Sequence, residues 1–249
     1  MIEIVTESVA GIECLHAVPA GQWRQPLPTI VFYHGFTSSK EVYSWFAVAL
    51  AQAGFRVLLP DAAQHGSRYN GDAQQRLGHF WEILRSSIDE LPPLEAALRE
   101  RGLVADGRFA VAGASMGGMT ALGAMARYPQ INSVACLMGS GYFMSLSQTL
   151  FPPLVADTPE QQQRLAQRLA PLAAYDVSHQ LASLANRPLL LWHGEADDVV
   201  PAAETVRLAR ALREASLDSH LTFLTEAGVG HRITPLALSA GVAFFNQHL

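Results

Sequence analysis

Residues 109–120 read FAVAGASMGGMT. A run of strand character, Phe109 to Ala112, passes into a helix-forming run from Met116 onward through a corner of small residues that carries one hydroxyl, Ser115. Gly113-Ala114-Ser115-Met116-Gly117 fits G-x-S-x-G, the pattern of a serine on a strained strand-to-helix turn. The glycines have a physical reason. The serine must take unfavourable backbone angles, and side chains two residues before and after it would collide where the strand folds back on the helix. Such a turn projects Oγ into the crevice beyond the strand's carboxyl end, and the helix starting at Met116 presents free N–H groups to a developing negative charge. An ordinary helix N-cap serine is the purely structural alternative.

Outward from this corner, strand-like runs occur at Ile2 to Thr6, Ile12 to Val18, Thr29 to Tyr33, Phe55 to Leu59, Ser133 to Met138, Leu189 to Trp192 and Leu221 to Leu224. Helix-like segments alternate with them: Val42 to Ala53, Phe80 to Arg101 with Pro92 and Pro93 forcing a break, Met116 to Arg127, Ala203 to Ala215 and Pro235 to Gln247. Two early strands able to pair as a hairpin, followed by repeated strand-helix units, predict an α/β fold: a mostly parallel eight-stranded sheet with helices on both faces. One segment breaks the rhythm. Between Gly139 and Pro188 lie roughly 45 residues where a crossover helix takes about 15. Residues 140–187 are therefore expected to form a small helical cap inserted after the sixth strand of a single domain, 1–249. Within it, Thr158 is placed as an N-cap, Pro159 at the first helical position and Gln161 at the capping-box position.

A serine at its free pKa is a poor nucleophile and needs a base held in turn by a carboxylate. After the run Pro188 to Trp192 comes His193-Gly194-Glu195-Ala196-Asp197-Asp198-Val199-Val200-Pro201, which puts acids on a loop at a strand's carboxyl end. After the last strand, Ala227-Gly228-Val229-Gly230-His231 puts a glycine-flanked histidine on the equivalent loop. Three loops thus converge on one crevice.

With these motifs the chain resembles an α/β-hydrolase. Over essentially its full length it is similar to the small bacterial YjfP-type carboxylesterases, in the runs FYHGFTSS, GASMG, MGSGYF, QTLFPP, LLLWHG, DDVVP and HRITP. The resemblance implies a catalytic triad of Ser115, Asp197 and His231, with Asp198 as the runner-up acid. It also implies an oxyanion hole formed by the backbone N–H groups of Met116 and Phe36, the latter in His34-Gly35-Phe36 after the strand TIVFY. The activity implied is hydrolysis of short to medium acyl esters through an acyl-enzyme, without cofactor or metal. His34 and His193 read as structural or loop-orienting, and His65, in PDAAQHGSR, borders the crevice. Tyr142, Phe143 and Phe151 suggest an apolar substrate pocket, or equally core packing between cap and sheet. A thioesterase or an amide or peptide hydrolase on the same triad, and a non-catalytic receptor built on a hydrolase pocket, are the competing functions.

Composition excludes other classes. Hydrophobic residues make up 49% and charged residues 16% of 249, and a net charge of −5 leaves no basic footprint for nucleic acid. The N-terminus MIEIVTESVA carries glutamates where a signal peptide needs a basic start, and Gln52, Gly54 and Arg56 interrupt the most apolar stretch, Trp45 to Pro60. A cytoplasmic protein with a small-molecule ester as partner, and no membrane partner, is expected. Cys14 and Cys136 lack a C-x-x-C partner and read as buried small hydrophobes, and no histidine pair has metal-ligand spacing.

Overall fold

The computed structural model describes residues 1–249. The strands are β1 (Ile2–Val9), β2 (Ile12–Pro19), β3 (Leu27–Tyr33), β4 (Arg56–Pro60), β5 (Val104–Ala114), β6 (Ser133–Leu137), β7 (Leu189–Gly194) and β8 (Leu221–Glu226). They form one sheet in the order β1-β2-β4-β3-β5-β6-β7-β8. β1 pairs with β2, and β2 with β4, antiparallel. Every other pairing is parallel. The chain is therefore an N-terminal hairpin edge on a parallel sheet, as the alternation of strand and helix runs predicts.

The helices are α1 (Ser44–Gln52), α2 (Ala73–Gly78), α3 (Phe80–Asp89), α4 (Leu91–Glu100), α5 (Met116–Arg127), α6 (Phe143–Leu146), α7 (Pro159–Leu169), α8 (Leu181–Ala185), α9 (Ala202–Glu214) and α10 (Pro235–His248). Strand alternation sends side chains to two cores. Val31, Tyr33, Phe109 and Val111 point to the larger core, with residues of α3, α4, α5 and α9. Ile30, Phe32, Ala110 and Ala112 point to the other, with residues of α1 and α10. The small side chains of β5 and the complete burial of β6 and β7 place the middle strands between these layers.

Several boundaries differ from those read in the sequence, and one helix is additional to them. β5 starts at Val104 rather than Phe109, because Leu27 pairs with Val104 across a register shift and the exposed Asp106-Gly107-Arg108 lies within the strand. The Phe80 to Arg101 run divides at Glu90, one residue before α4, so that Pro92 and Pro93 fall in a first turn where no N–H is required. The short helix α2 was not anticipated; its six residues have no buried face to give a period, and its start is marked only by Asp72, whose side chain accepts from the Gln75 N–H.

Helices α6, α7 and α8 and two short 3₁₀ helices occupy the segment between β6 and β7. α7 starts as its sequence predicts: the Gln161 N–H donates to Thr158 Oγ1 at 3.3 Å, and the Thr158 N–H donates to Gln161 Oε1 at 2.9 Å. Arg168 ties this segment to α3, pairing with Glu82 at 2.5 Å and donating to the carbonyls of Gly78 and Pro153. The Trp81 indole adds a bond to the Leu150 carbonyl at 3.0 Å. No helix is long and apolar enough to cross a membrane.

Candidate active site

Ser115 joins β5 to α5 at φ 56° and ψ −118°, a left-handed conformation that a non-glycine residue keeps only when its surroundings impose it. Those surroundings are its bonds to β6 and α5: the Ser115 N–H donates to the Leu137 carbonyl, and the Ser115 carbonyl accepts from the Met119 N–H, both at 2.9 Å. The flanking glycines are steric requirements. A Cβ on Gly113 would meet the backbone of Gly117, and one on Gly117 would meet the Tyr33 carbonyl of β3. Although Ser115 occupies the N-cap position, its side chain makes no capping bond. Oγ instead lies 2.9 Å from His231 Nε2.

His231 Nδ1 lies 2.7 Å from Asp197 Oδ2. A carboxylate can only accept, so Nδ1 carries the proton and Nε2 is left as an acceptor for the Ser115 hydroxyl. The other Asp197 oxygen, Oδ1, accepts from the N–H groups of Val199 and Val200 at 3.0 and 2.9 Å. The acid and histidine loops are stitched together by backbone bonds, Glu195 N–H to the Glu226 carbonyl and Ala196 N–H to the Val229 carbonyl. The Asp197 side chain is fully buried, whereas Asp198 beside it is exposed to solvent and makes no bond to His231. The tertiary structure thus brings together Ser115, His231 and Asp197, and leaves Asp198 outside.

His193, on β7, is wholly buried. Its Nε2 faces both the Val200 carbonyl at 2.8 Å and Asp197 Oδ2 at 3.1 Å, and its Nδ1 faces the Thr205 hydroxyl. Burial lowers its pKa, so it is a neutral Nε2–H donor to the acid loop.

Phe36 follows β3 beside the serine, and a Cβ on Gly35 would sit 3.6 Å from Ser115 Cβ. The Phe36 N–H has no hydrogen-bond partner in the chain. Met116, the first residue of α5, has no residue one turn earlier in the helix to accept from its N–H. His34 Nδ1 donates to the Gly35 carbonyl at 2.8 Å, and its Nε2 accepts from the Ala62 N–H at 3.1 Å.

Two cavities open on either side of Ser115 and His231. One, of about 280 Å³, is lined by Phe36, Leu77, Phe80, Met119, Leu150, Phe151, Val199 and Val200. The second, of about 250 Å³, is lined by Phe36, Val42, Tyr43, Trp45, Met138, Arg232 and Ile233. Of the three aromatic residues suggested as pocket walls, Phe151 stands in the first cavity. Phe143 does not: it has no exposed surface, lies tilted beside Trp81 and packs against Gly123, where α5 lacks a side chain. Tyr142 lies elsewhere too, under the Arg207 guanidinium at 3.8 Å, beside an open groove along α9. Both side chains are buried in core packing, Phe143 against α3 and α5 and Tyr142 beside α9, rather than lining a cavity at Ser115. The sequence reading missed Met119, which a four-residue helical step from Ser115 could have found, and the Val42, Tyr43 and Trp45 wall, which carries no such signal.

A carboxylate group with metal-like spacing exists at Glu13, Glu41 and Asp61. The Lys40 ammonium lies between them, 2.8, 2.8 and 2.6 Å from the three, and already supplies the cation. Cys14 and Cys136 are free and buried, and burial pushes both thiols up to about 12.

Sequence comparison places this geometry among known proteins. Esterase YjfP of Escherichia coli (strain K12) is 55% identical over 249 residues, covering all of both chains. YitV of Bacillus subtilis (strain 168) is 35% identical over 257 aligned positions, again covering both chains completely. The crystal structure of TT1662 from Thermus thermophilus has a TM-score of 0.77 and 26% identity, covering 99% of this chain and 98% of that one. The sequence profile of the prolyl oligopeptidase family matches residues 41–249, a span that holds the elbow, the acid loop and the histidine loop. With that profile matched over most of its length, the chain has the α/β-hydrolase fold and belongs to the prolyl oligopeptidase family.

Proposed function

We propose that the protein is a serine carboxylesterase that cleaves short to medium acyl esters through an acyl-enzyme. The observation that carries this reading is the unbroken chain of hydrogen bonds from Ser115 Oγ through His231 to Asp197, at 2.9 and 2.7 Å. The name of the E. coli relative, an esterase over its whole length, supports the ester as substrate.

His231 Nε2 takes the hydroxyl proton as Ser115 Oγ bonds to the ester carbonyl carbon, whose π electrons move onto its oxygen. The N–H groups of Phe36 and Met116 receive that oxyanion. Asp197 holds the imidazole in the Nδ1–H tautomer and stabilises the imidazolium. The carbon–alkoxy bond then breaks, and the departing alcohol takes the proton from His231. Water adds to the acyl-enzyme with His231 again as base; the Ser115 ester bond breaks, Oγ recovers the proton, and the carboxylic acid leaves.

The cavity walls are mostly apolar, which favours uncharged acyl and alcohol groups; Arg232 is the one arginine or lysine among them. We place the enzyme in the cytoplasm, in keeping with its two free cysteines, and assign it a small ester as its partner, with neither nucleic acid nor membrane. The test is a series of nitrophenyl acyl esters, with matched thioesters and amides, assayed on the wild type and on Ser115→Ala. Ester turnover should vanish in the folded variant; retained turnover would sink the proposal.

A further inference from the structure

Phe36 is fixed by the peptide units on either side of it, and each is gripped by a different buried histidine. Ahead of it, the Gly35 carbonyl accepts from His34 Nδ1. In a trans peptide the N–H points away from the carbonyl, so this bond turns the Phe36 N–H away from His34. Behind it, the Thr37 N–H donates to His65 Nε2 at 2.9 Å. Both imidazoles are anchored to the same short stretch after β4: His34 Nε2 accepts from the Ala62 N–H, and His65 Nδ1 donates to the Ala63 carbonyl at 2.8 Å. The two rings lie 5.2 Å apart, and the Phe36 ring meets His65 edge-on at 5.2 Å.

The bonds determine the protonation of His65. Nε2 receives an N–H and must be bare, while Nδ1 faces a carbonyl and must carry hydrogen, so the ring is neutral. Burial works in the same direction, holding its pKa down to about 4. The bond to Thr37 also opposes strain. Thr37 sits at φ 62°, a conformation that is strained for a β-branched residue. Thr37 is exposed, so without an acceptor its N–H can turn to water and the backbone can relax away from that angle.

We propose that His65 is a positioning residue of the oxyanion hole: as a bare Nε2 acceptor it holds Thr37 in its strained conformation and thereby aims the Phe36 N–H at the oxyanion. This rests on the serine-esterase reading of Ser115. His65 touches no reacting atom; it acts through the loop, and its effect belongs to the transition state rather than to substrate binding.

Three substitutions separate the acceptor from the packing. His65→Gln places Oε1 where Nε2 stood and can still accept from Thr37. His65→Asn keeps a donor for the Ala63 carbonyl but is too short to reach Thr37. His65→Leu fills the ring volume with no polar atom. On nitrophenyl butyrate, Leu and Asn should lower kcat by about 30-fold with KM within about twofold, somewhat less than deletion of an oxyanion donor. They should weaken inhibition by an aryl trifluoromethyl ketone, whose serine adduct carries the oxyanion, by the same factor, and Gln should recover most of both losses. Equal kcat in Gln and Asn, or a loss of kcat with unchanged ketone affinity, overturns the proposal. If the Leu variant fails to fold, the Gln and Asn pair decides alone. Ser115→Ala runs in parallel: an active Ser115→Ala overturns the esterase reading, whereas an inactive one beside a fully active His65→Asn overturns only the role of His65.

Discussion

His193 Nε2 and His231 Nδ1 converge on one oxygen, Asp197 Oδ2, at 3.1 and 2.7 Å. One histidine reaches the serine and the other is sealed in the core, so a single carboxylate is shared between reactivity and structure.

That division separates two losses. His193→Phe fills the ring volume but leaves the Val200 carbonyl without its donor and the Thr205 hydroxyl with only the Gly139 carbonyl, at a cost of about 2 kcal/mol in urea unfolding. Activity should fall only several-fold. His231→Ala, at a side chain partly open to solvent, should abolish turnover while moving the unfolding midpoint little. The same pattern of losses in both variants would contradict the division.

Asp197 and Asp198 are adjacent in sequence but not equivalent. Asp197→Asn should lower kcat by about 10⁴-fold, because an amide facing Nδ1 favours the wrong imidazole tautomer. Asp198→Asn should stay within about twofold of wild type. Steady-state kinetics on one nitrophenyl ester compares them directly, and a large loss in the Asp198 variant would reassign the acid.

Acyl-chain dependence should report the cavity under the cap. Each methylene buried against Phe80, Leu150 and Phe151 is worth about 0.8 kcal/mol, or roughly fourfold in kcat/KM, until the space is filled. Leu150→Trp should move the optimum to shorter acyl chains and leave acetate turnover nearly unchanged. A chain-length profile identical to wild type would place the acyl group in the other cavity.

Stability should decline on mild acidification. Burial holds the pKa of His16 and His65 down to about 4, against about 6.5 in an unfolded chain. Between those values the unfolded chain takes up protons that the folded one refuses, so stability is complete above about pH 6.5 and is lost as the pH falls toward 4. The slope is at most about 1.4 kcal/mol per pH unit for each histidine. For His16 the bonds agree, since its Nε2 faces the Arg56 guanidinium, which can only donate. Urea midpoints at pH 7.5, 6 and 5 measure the slope; an unchanged midpoint would mean that both rings are protonated in the fold.

Much of the fold was legible because its signals are local. The apolar strand runs of β3 and β5, the capping box at Thr158 and Gln161, and the glycines around Ser115 each depend on residues a few positions apart, where local propensity and steric exclusion act. The strained serine is the clearest case: Gly113 and Gly117 in the sequence already imply the crowding that the folded backbone displays.

What only the tertiary structure decided depends on groups far apart in the chain. Sequence put Asp197 and Asp198 side by side on one loop, but the choice of Asp197 comes from the N–H groups of Val199 and Val200 and from His231 on another strand's loop. Aromatic character alone could not separate Phe151, which faces the cavity, from Phe143, which fills the gap at Gly123 on a different helix. His65 carried no catalytic pattern, because its meaning lies in one bond across 28 residues to Thr37. Local sequence determines the angles a short segment can adopt; which side chains meet, and so which become reactive, follows from the packing of the whole sheet.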